Sequence, residues 1–83
     1  MRTFIGFRPD PPTEYREKGI TNAGVTPDYE GAISDDGRVA IFWLTQYRSV
    51  SVWPDWHSFY QVHGHPEYGT EIVFADGGDV PQA

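Results

Sequence analysis

Apolar residues at helical spacing mark residues 53–65. The aromatic stripe at i, i+3, i+4 and i+7 consists of Trp56, Phe59, Tyr60 and His63. Pro54 and Asp55 suit the first helical turn, because proline lacks an amide hydrogen there and a carboxylate complements the helix dipole. Gly64 is expected to end the helix in the left-handed conformation. The pattern predicts a helix of about ten residues whose aromatic face is buried, since so short a helix is marginal alone.

Short apolar runs bounded by turn residues predict strands at residues 29–34, 38–45, 49–53 and 70–75. Between the first two, Asp35-Asp36-Gly37 predicts a tight hairpin turn, since Asp and Gly tolerate positive φ. Residues 2–7 fit either a short strand or an ordered arm. The prolines that follow in residues 8–12 interrupt regular structure, and a short helix from Thr13 to Gly19 is expected after them.

The run at residues 38–45 is apolar on both of its faces. A strand of this kind is usually central and covered on both sides. One face takes the aromatic helix. The other is covered either by the N-terminal arm or by a second copy of the protein, and the sequence leaves both options open.

These elements predict an α+β fold in one small domain. The order β-β-β-α-β gives a mainly antiparallel four-stranded sheet with one helix packed on a face. Residues 1–28 form an irregular, proline-containing N-terminal arm, residues 29–76 the α+β core, and residues 77–83 a tail. At 83 residues the domain is marginal without support. Its 16% aromatic content and dimerisation are the expected supports.

The charge is −6, and every Lys and Arg lies at or before Arg48. This balance argues against direct binding to nucleic acid or to an anionic membrane. It predicts an acidic surface that either serves solubility or docks a protein that is basic or binds nucleic acid. The proposed docking residues are Asp55, Glu67, Glu71 and Asp76. We expect a cytoplasmic protein, since no signal peptide or membrane-spanning run is visible.

The three histidines, His57, His63 and His65, raise the question of a metal site. His57 and His63 are six positions apart, which places them on different faces of a helix. We therefore predict no metal and no cofactor, with His63 and His65 as weak candidates. No cysteine, serine elbow or phosphate loop is present, which predicts a protein that is not an enzyme.

A small-ligand site is the alternative function. Trp53, Trp56 or Tyr68 would stack on a base, and Arg38 or Arg48 would meet a phosphate. The ligand would be nucleotide-like and held between subunits. The net negative charge weighs against this hypothesis, since an anionic ligand needs a local basic pocket.

Several segments resemble a group of short proteins, without assigned activity, from actinobacteria and their phages. The resemblance rests on D-G-R-V-A-I-F-W-L at 36–44, H-G-H at 63–65 and T-E-I-V-F-A-D at 70–76. It covers about half of the chain and implies a small, phage-borne accessory protein. It implies no activity, substrate or catalytic residue. Together, the observations predict a non-enzymatic, acidic, dimeric protein that binds and modulates a host protein.

Overall fold

The structure, a computed structural model, describes residues 1–82. Within that range the chain forms five strands, two α-helices and a short 3₁₀ helix at Pro66–Tyr68. The strands are β1 (Arg2–Phe7), β2 (Tyr29–Ile33), β3 (Val39–Trp43), β4 (Val50–Trp53) and β5 (Glu71–Phe74). The α-helices are α1 (Thr13–Lys18) and α2 (Trp56–His63). No helix in this part of the chain combines the length and apolar content needed to cross a membrane.

The strands form one antiparallel sheet in the order β4-β3-β2-β1-β5. The α+β class, the antiparallel sheet and the aromatic helix are confirmed. The sheet has one more strand than predicted, because the segment Arg2–Phe7 enters it between β2 and β5 instead of forming an arm. The β2–β3 turn is as predicted, with Gly37 at φ 90° and the Gly37 amide donating to the Ser34 carbonyl.

Helix α2 begins at Trp56 with Asp55 as its N-cap, so Pro54 and Asp55 precede the helix instead of lying in its first turn as predicted. The Asp55 carboxylate accepts a hydrogen bond from the Ser58 amide at 2.8 Å, which satisfies one of the free donors of the first turn. The expected left-handed stop at Gly64 is wrong, since Gly64 is right-handed and His65 takes the positive φ of 38°. Gly64 is required for a different reason. A Cβ there would lie 2.5 Å from the Tyr60 carbonyl oxygen.

Replacing Asp55 by alanine removes this cap. We expect the free energy of unfolding to fall by about 1 kcal/mol, because the Ser58 amide loses its acceptor. Asp55→Asn is the matched control and should cost much less, since asparagine caps helices as well as aspartate does. Chemical denaturation of the three proteins measures the difference. Equal losses for both variants would show that charge, and not the hydrogen bond, stabilises the helix end.

The core lies between α2 and one face of the sheet. Its buried members are Phe4, Tyr29, Val39, Ile41, Trp56, Phe59 and Phe74. Phe59 is completely buried, with its ring centroid 5.1 Å from that of Trp56 and 5.8 Å from that of Tyr29. Aromatic packing is thus the main support of the fold, as the composition indicated.

The opposite face of the sheet is uncovered. Phe42, Val50, Val52 and Val73 are 45%, 60%, 64% and 50% exposed there. The N-terminal segment cannot cover this face, because it is itself a strand of the sheet. Of the two covers that the sequence left open, the intramolecular one is therefore excluded.

Candidate functional site

One candidate site is built around the Arg8 side chain, directly after β1. Phe4, Gly6 and Arg8 alternate with the period of a strand, so all three lie on the α2 side of the sheet. Arg8 is only 6% exposed. Its guanidinium carbon lies 4.9 Å from the ring centroid of Trp43 and 5.7 Å from that of Tyr68. These distances permit cation–π attraction to both rings.

The hydrogen bonding of Arg8 is incomplete. One terminal nitrogen donates to the His63 carbonyl at 3.3 Å, while the buried Nε has no acceptor within residues 1–82. The nearby Tyr29 hydroxyl is also buried without a partner in that range, and burial raises the pKa of Tyr29 to about 12. No carboxylate of the described residues lies within 4 Å of the guanidinium. A buried cation without an anion is costly, so the site is suited to an added acceptor.

His63 closes the site from the end of α2. Its ring centroid lies 5.0 Å from that of Trp43 and 5.3 Å from that of Trp53. The Trp53 indole is turned toward the small Ser51, whose hydroxyl accepts its N–H at 3.2 Å. Burial, followed by the positive charge of Arg8, lowers the pKa of His63 to about 4. The imidazole is therefore neutral near pH 7.

This pKa makes stability depend on pH. An unfolded histidine has a pKa near 6.5, whereas folded His63 is near 4, so the folded state binds fewer protons between these values. Stability is full above about pH 6.5 and falls as the pH drops toward 4. We expect a loss of about 1–2 kcal/mol from this residue, because water partly screens the half-buried ring.

Denaturation curves between pH 7 and 4 for wild type and His63→Phe measure this contribution. Phenylalanine keeps an aromatic ring between the indoles and does not titrate. The wild type should lose more stability than the variant as the pH falls. Parallel pH profiles would contradict the assignment, and an NMR titration of the His63 ring would give its pKa directly.

The 3₁₀ helix supplies the outer wall of the site. The rings of His65 and Tyr68 stack in parallel, with centroids 4.3 Å apart and an interplanar angle of 3°. The Tyr68 carbonyl accepts from the Asp10 amide at 2.9 Å, which fixes this turn against the segment after Arg8. His65 Nδ1 lies 2.7 Å from a Glu67 carboxylate oxygen, and this pairing lowers the pKa of Glu67. Aromatic faces and a cation are thereby brought together from four parts of the chain.

The residues predicted for a small ligand have different positions. Trp53 and Tyr68 both border the cluster around His63 and Arg8. Trp56 lies in the core at 6% exposure and presents no free face for stacking. The two predicted arginines lie elsewhere. Arg38 pairs with Asp36 at the hairpin at 2.9 Å, and Arg48 is exposed in the β3–β4 loop.

Sequence reasoning missed Arg8 as the cation of the site. The usable signal was the alternation Phe4, Gly6, Arg8, which directs the arginine toward the core once residues 2–7 are taken as a strand. The following proline-rich stretch concealed that signal.

The predicted acidic docking residues are not assembled into one patch by these contacts. Asp55 caps α2, Glu67 pairs with His65, and Asp76 accepts two hydrogen bonds from Arg2 at 2.8 and 3.2 Å. Glu71 is exposed at the start of the edge strand β5. Within residues 1–82 there is no group of three or more His, Cys, Asp or Glu side chains placed to hold a metal ion.

A second candidate site is the uncovered face of the sheet, here named the open face. It carries an open groove of about 380 Å³, with residues Thr3, Ile5, Glu30, Ala32, Phe42 and Val73 in its lining. A second depression of about 220 Å³ shares Ala32 and reaches Met1 and Arg38. Together the two depressions cross most of the sheet. Exposed apolar surfaces are a common feature of interaction sites, which makes the open face the second candidate.

A comparison with models of protein families identifies the family of this chain. Residues 17–76 match the model described as Acb5 phage protein, which is well over half of the sequence. The chain belongs to the Acb5 phage protein family. The matched segment contains Trp43, Trp53, His63 and Tyr68 of the first candidate site, and Arg8 precedes it. No curated protein and no solved structure matches the chain.

Proposed function

We propose that this phage protein works by binding a small anionic ligand with an aromatic part, of nucleotide type, at the Arg8 cluster. The observation that carries the proposal is the Arg8 side chain itself. It is buried among aromatic rings, its Nε has no acceptor among residues 1–82, and no carboxylate in that range lies within 4 Å of it. An arginine fork binds a phosphate through paired, charge-assisted hydrogen bonds.

The surrounding rings supply the second part of the proposed site. Tyr68 and Trp53 are partly exposed beside the cluster; the His65 ring covers one face of Tyr68, so the proposed base stacks on Trp53 or on the other face of Tyr68. Stacking of this kind contributes about 1–3 kcal/mol per base. The neutral His63 adds no charge and leaves Arg8 as the cation of the site. The net charge of −6 disfavours an anionic ligand, but Arg8 supplies the local positive charge that such a ligand needs.

The proposed action is binding without chemical turnover, in the cytoplasm. A phage protein of this kind would lower the free concentration of a host metabolite or signal. Retention of the ligand is then the property to measure, and recovery of the ligand unchanged distinguishes binding from catalysis.

Titration calorimetry with adenosine 5′-monophosphate, adenosine and inorganic phosphate tests the proposal. The nucleotide should bind more tightly than either part alone. Arg8→Met should weaken nucleotide binding by about tenfold to a hundredfold, since a hydrogen bond to a charged group contributes about 1.5–3 kcal/mol. Arg48→Met, which removes the same charge from an exposed loop, is the matched control and should change little.

Two results would overturn the proposal. Equal binding by wild type and Arg8→Met, with both folded by circular dichroism, would place any ligand elsewhere. Recovery of a cleaved nucleotide by chromatography would replace binding with catalysis.

The open face favours a second function, the binding of a host protein. Here the partner would cover an exposed apolar surface on an acidic domain. This function is independent of Arg8, because the open face and the Arg8 cluster lie on opposite sides of the sheet. The four acidic residues first considered would then contribute to the field around the domain and not to the contact itself.

A further inference from the structure

The open face has a ridge and a trough that both run across the strands. The ridge row, read from the strand pairing, is Val50, Phe42, Glu30, Ile5 and Val73. The next row consists of smaller side chains and forms the trough, with members Val52, Ala40, Ala32, Thr3 and Ala75. Met1, Ser34 and Arg38 border the trough on its other side.

The dimensions of the trough fit an α-helix. Four spacings between five strands give a length of about 19 Å, which corresponds to about 13 helical residues. The ridge and the opposite border lie four residues apart along each strand, or about 13 Å, close to the 10–12 Å diameter of a helix with its side chains. The small side chains of the floor allow a helix to approach the sheet closely.

Glu30 sets the charge that the occupant must carry. It lies at the centre of the ridge, with Ile5 and Phe42 as its direct cross-strand neighbours. It is exposed, and it forms no ion pair or hydrogen bond within the described part of the chain. A partner that covers the ridge buries this carboxylate, and a buried charge without a counterion is strongly destabilising. The partner must therefore supply a cation at this point.

A second copy of the chain meets that requirement poorly. In a symmetric dimer the same patch faces itself, so both copies bring a Glu30 carboxylate to one shared interface. Each copy also carries a net charge of −6. Charge complementarity therefore favours a basic partner over self-association.

We propose that the open face binds an amphipathic helix of a partner protein whose apolar stripe carries one Lys or Arg opposite Glu30. This inference rests on the second proposed function and specifies its partner. The apolar stripe fills the trough, and the cation pairs with Glu30 as water is excluded.

A pair of synthetic peptides tests the charge requirement on the full chain. Both are fluorescein-labelled helices of about 13 residues with a leucine stripe. One has lysine at the centre of the stripe, and the other has glutamate. Fluorescence anisotropy should show the lysine peptide binding at least about tenfold more tightly to the wild type, as expected for a desolvated charge pair. Glu30→Lys should reverse the preference.

Glu17→Lys is the matched control, since it makes the same charge change at an exposed position on α1. It should keep the wild-type preference. Ala32→Leu narrows the trough and should weaken both peptides, and thermal melting establishes that each variant is folded. Arg8→Met should bind the peptides normally, which separates this site from the ligand site.

The outcomes distinguish the inference from the function on which it rests. If both peptides bind the open face equally by NMR shift mapping, the face binds proteins but the proposed partner chemistry is wrong. If neither peptide shifts open-face amides, both the inference and the protein-binding function are wrong. Analytical ultracentrifugation could also show that the wild type is a dimer and that Ala32→Leu is a monomer. That result would assign the open face to a second copy of the chain and overturn the inference.

Discussion

Replacing Phe59 by alanine is expected to leave the protein largely unfolded at room temperature. Phe59 is completely buried and contacts aromatic rings from α2, β1 and β2. Removing a buried Phe ring costs about 3–5 kcal/mol, because the transfer energy is lost and a cavity remains. That loss is comparable to the whole stability of a domain of this size, about 0.05–0.15 kcal/mol per residue.

Circular dichroism and urea denaturation measure the effect. Val62→Ala is the control, since Val62 lies on the same helix and is 49% exposed. It should change the free energy of unfolding by less than about 0.5 kcal/mol. A folded Phe59→Ala protein with near-normal stability would show that the helix packs on the sheet differently.

Gly6→Ala is expected to have the second largest effect. An added Cβ would lie 2.1 Å from Cζ and 2.5 Å from the hydroxyl oxygen of Tyr29, which is fully buried. Neither the sheet backbone nor the enclosed ring can move away freely. Overpacking of this kind costs about 1–3 kcal/mol, and the upper end is expected here because the contact is so close.

A double-mutant cycle with Tyr29→Leu isolates this contact. Leucine lacks the ring atoms that reach Gly6, so the added methyl group should cost much less in that background. A coupling energy of about 1–3 kcal/mol is expected in urea denaturation. If the two effects simply add, the strain at Gly6 arises from the backbone and not from Tyr29.

The sequence predicted the features that local chemistry determines. Pro54, Asp55 and the stripe of Trp56 and Phe59 located α2, and Asp35-Asp36-Gly37 located the hairpin. Each signal lies within a few residues of the structure it specifies. The stop at Gly64 was misjudged, because a glycine can serve close packing as well as a left-handed turn.

The position of β1 in the sheet could not be predicted from the residues of the segment itself. Residues 2–7 fitted a strand or an arm equally well, and only pairing with both β2 and β5 decides between them. That pairing also determines both candidate sites. It directs Arg8 toward Trp43 and His63, and it uses the segment that would otherwise cover the open face.

Only some of the predicted ligand residues, Trp53 and Tyr68, lie at the Arg8 cluster, because contacts between distant parts of the chain determine its membership. Trp53 and Tyr68 are separated in sequence but meet one cluster because α2 returns the chain across the sheet. Trp56 belongs to the aromatic stripe of α2, and that stripe packs against the sheet, so Trp56 lies in the core. Arg38 and Arg48 were the predicted cations, whereas the arginine that lies among the rings is Arg8, directly after β1.

The central position of β1 also sets the order of events during synthesis. Within this domain β1 is synthesised before the other four strands, yet Phe4 completes its packing only when Phe74 and β5 are present. At about 5–20 residues per second, the ribosome needs roughly 4–14 s to supply the missing strand. Folding of the sheet is therefore delayed until β5 has been synthesised, and sheets with such distant pairings also form slowly afterwards. During this interval the apolar side chains of β1 lack the β5 residues against which they pack, and transiently exposed apolar surface of this kind makes an incomplete domain prone to aggregation.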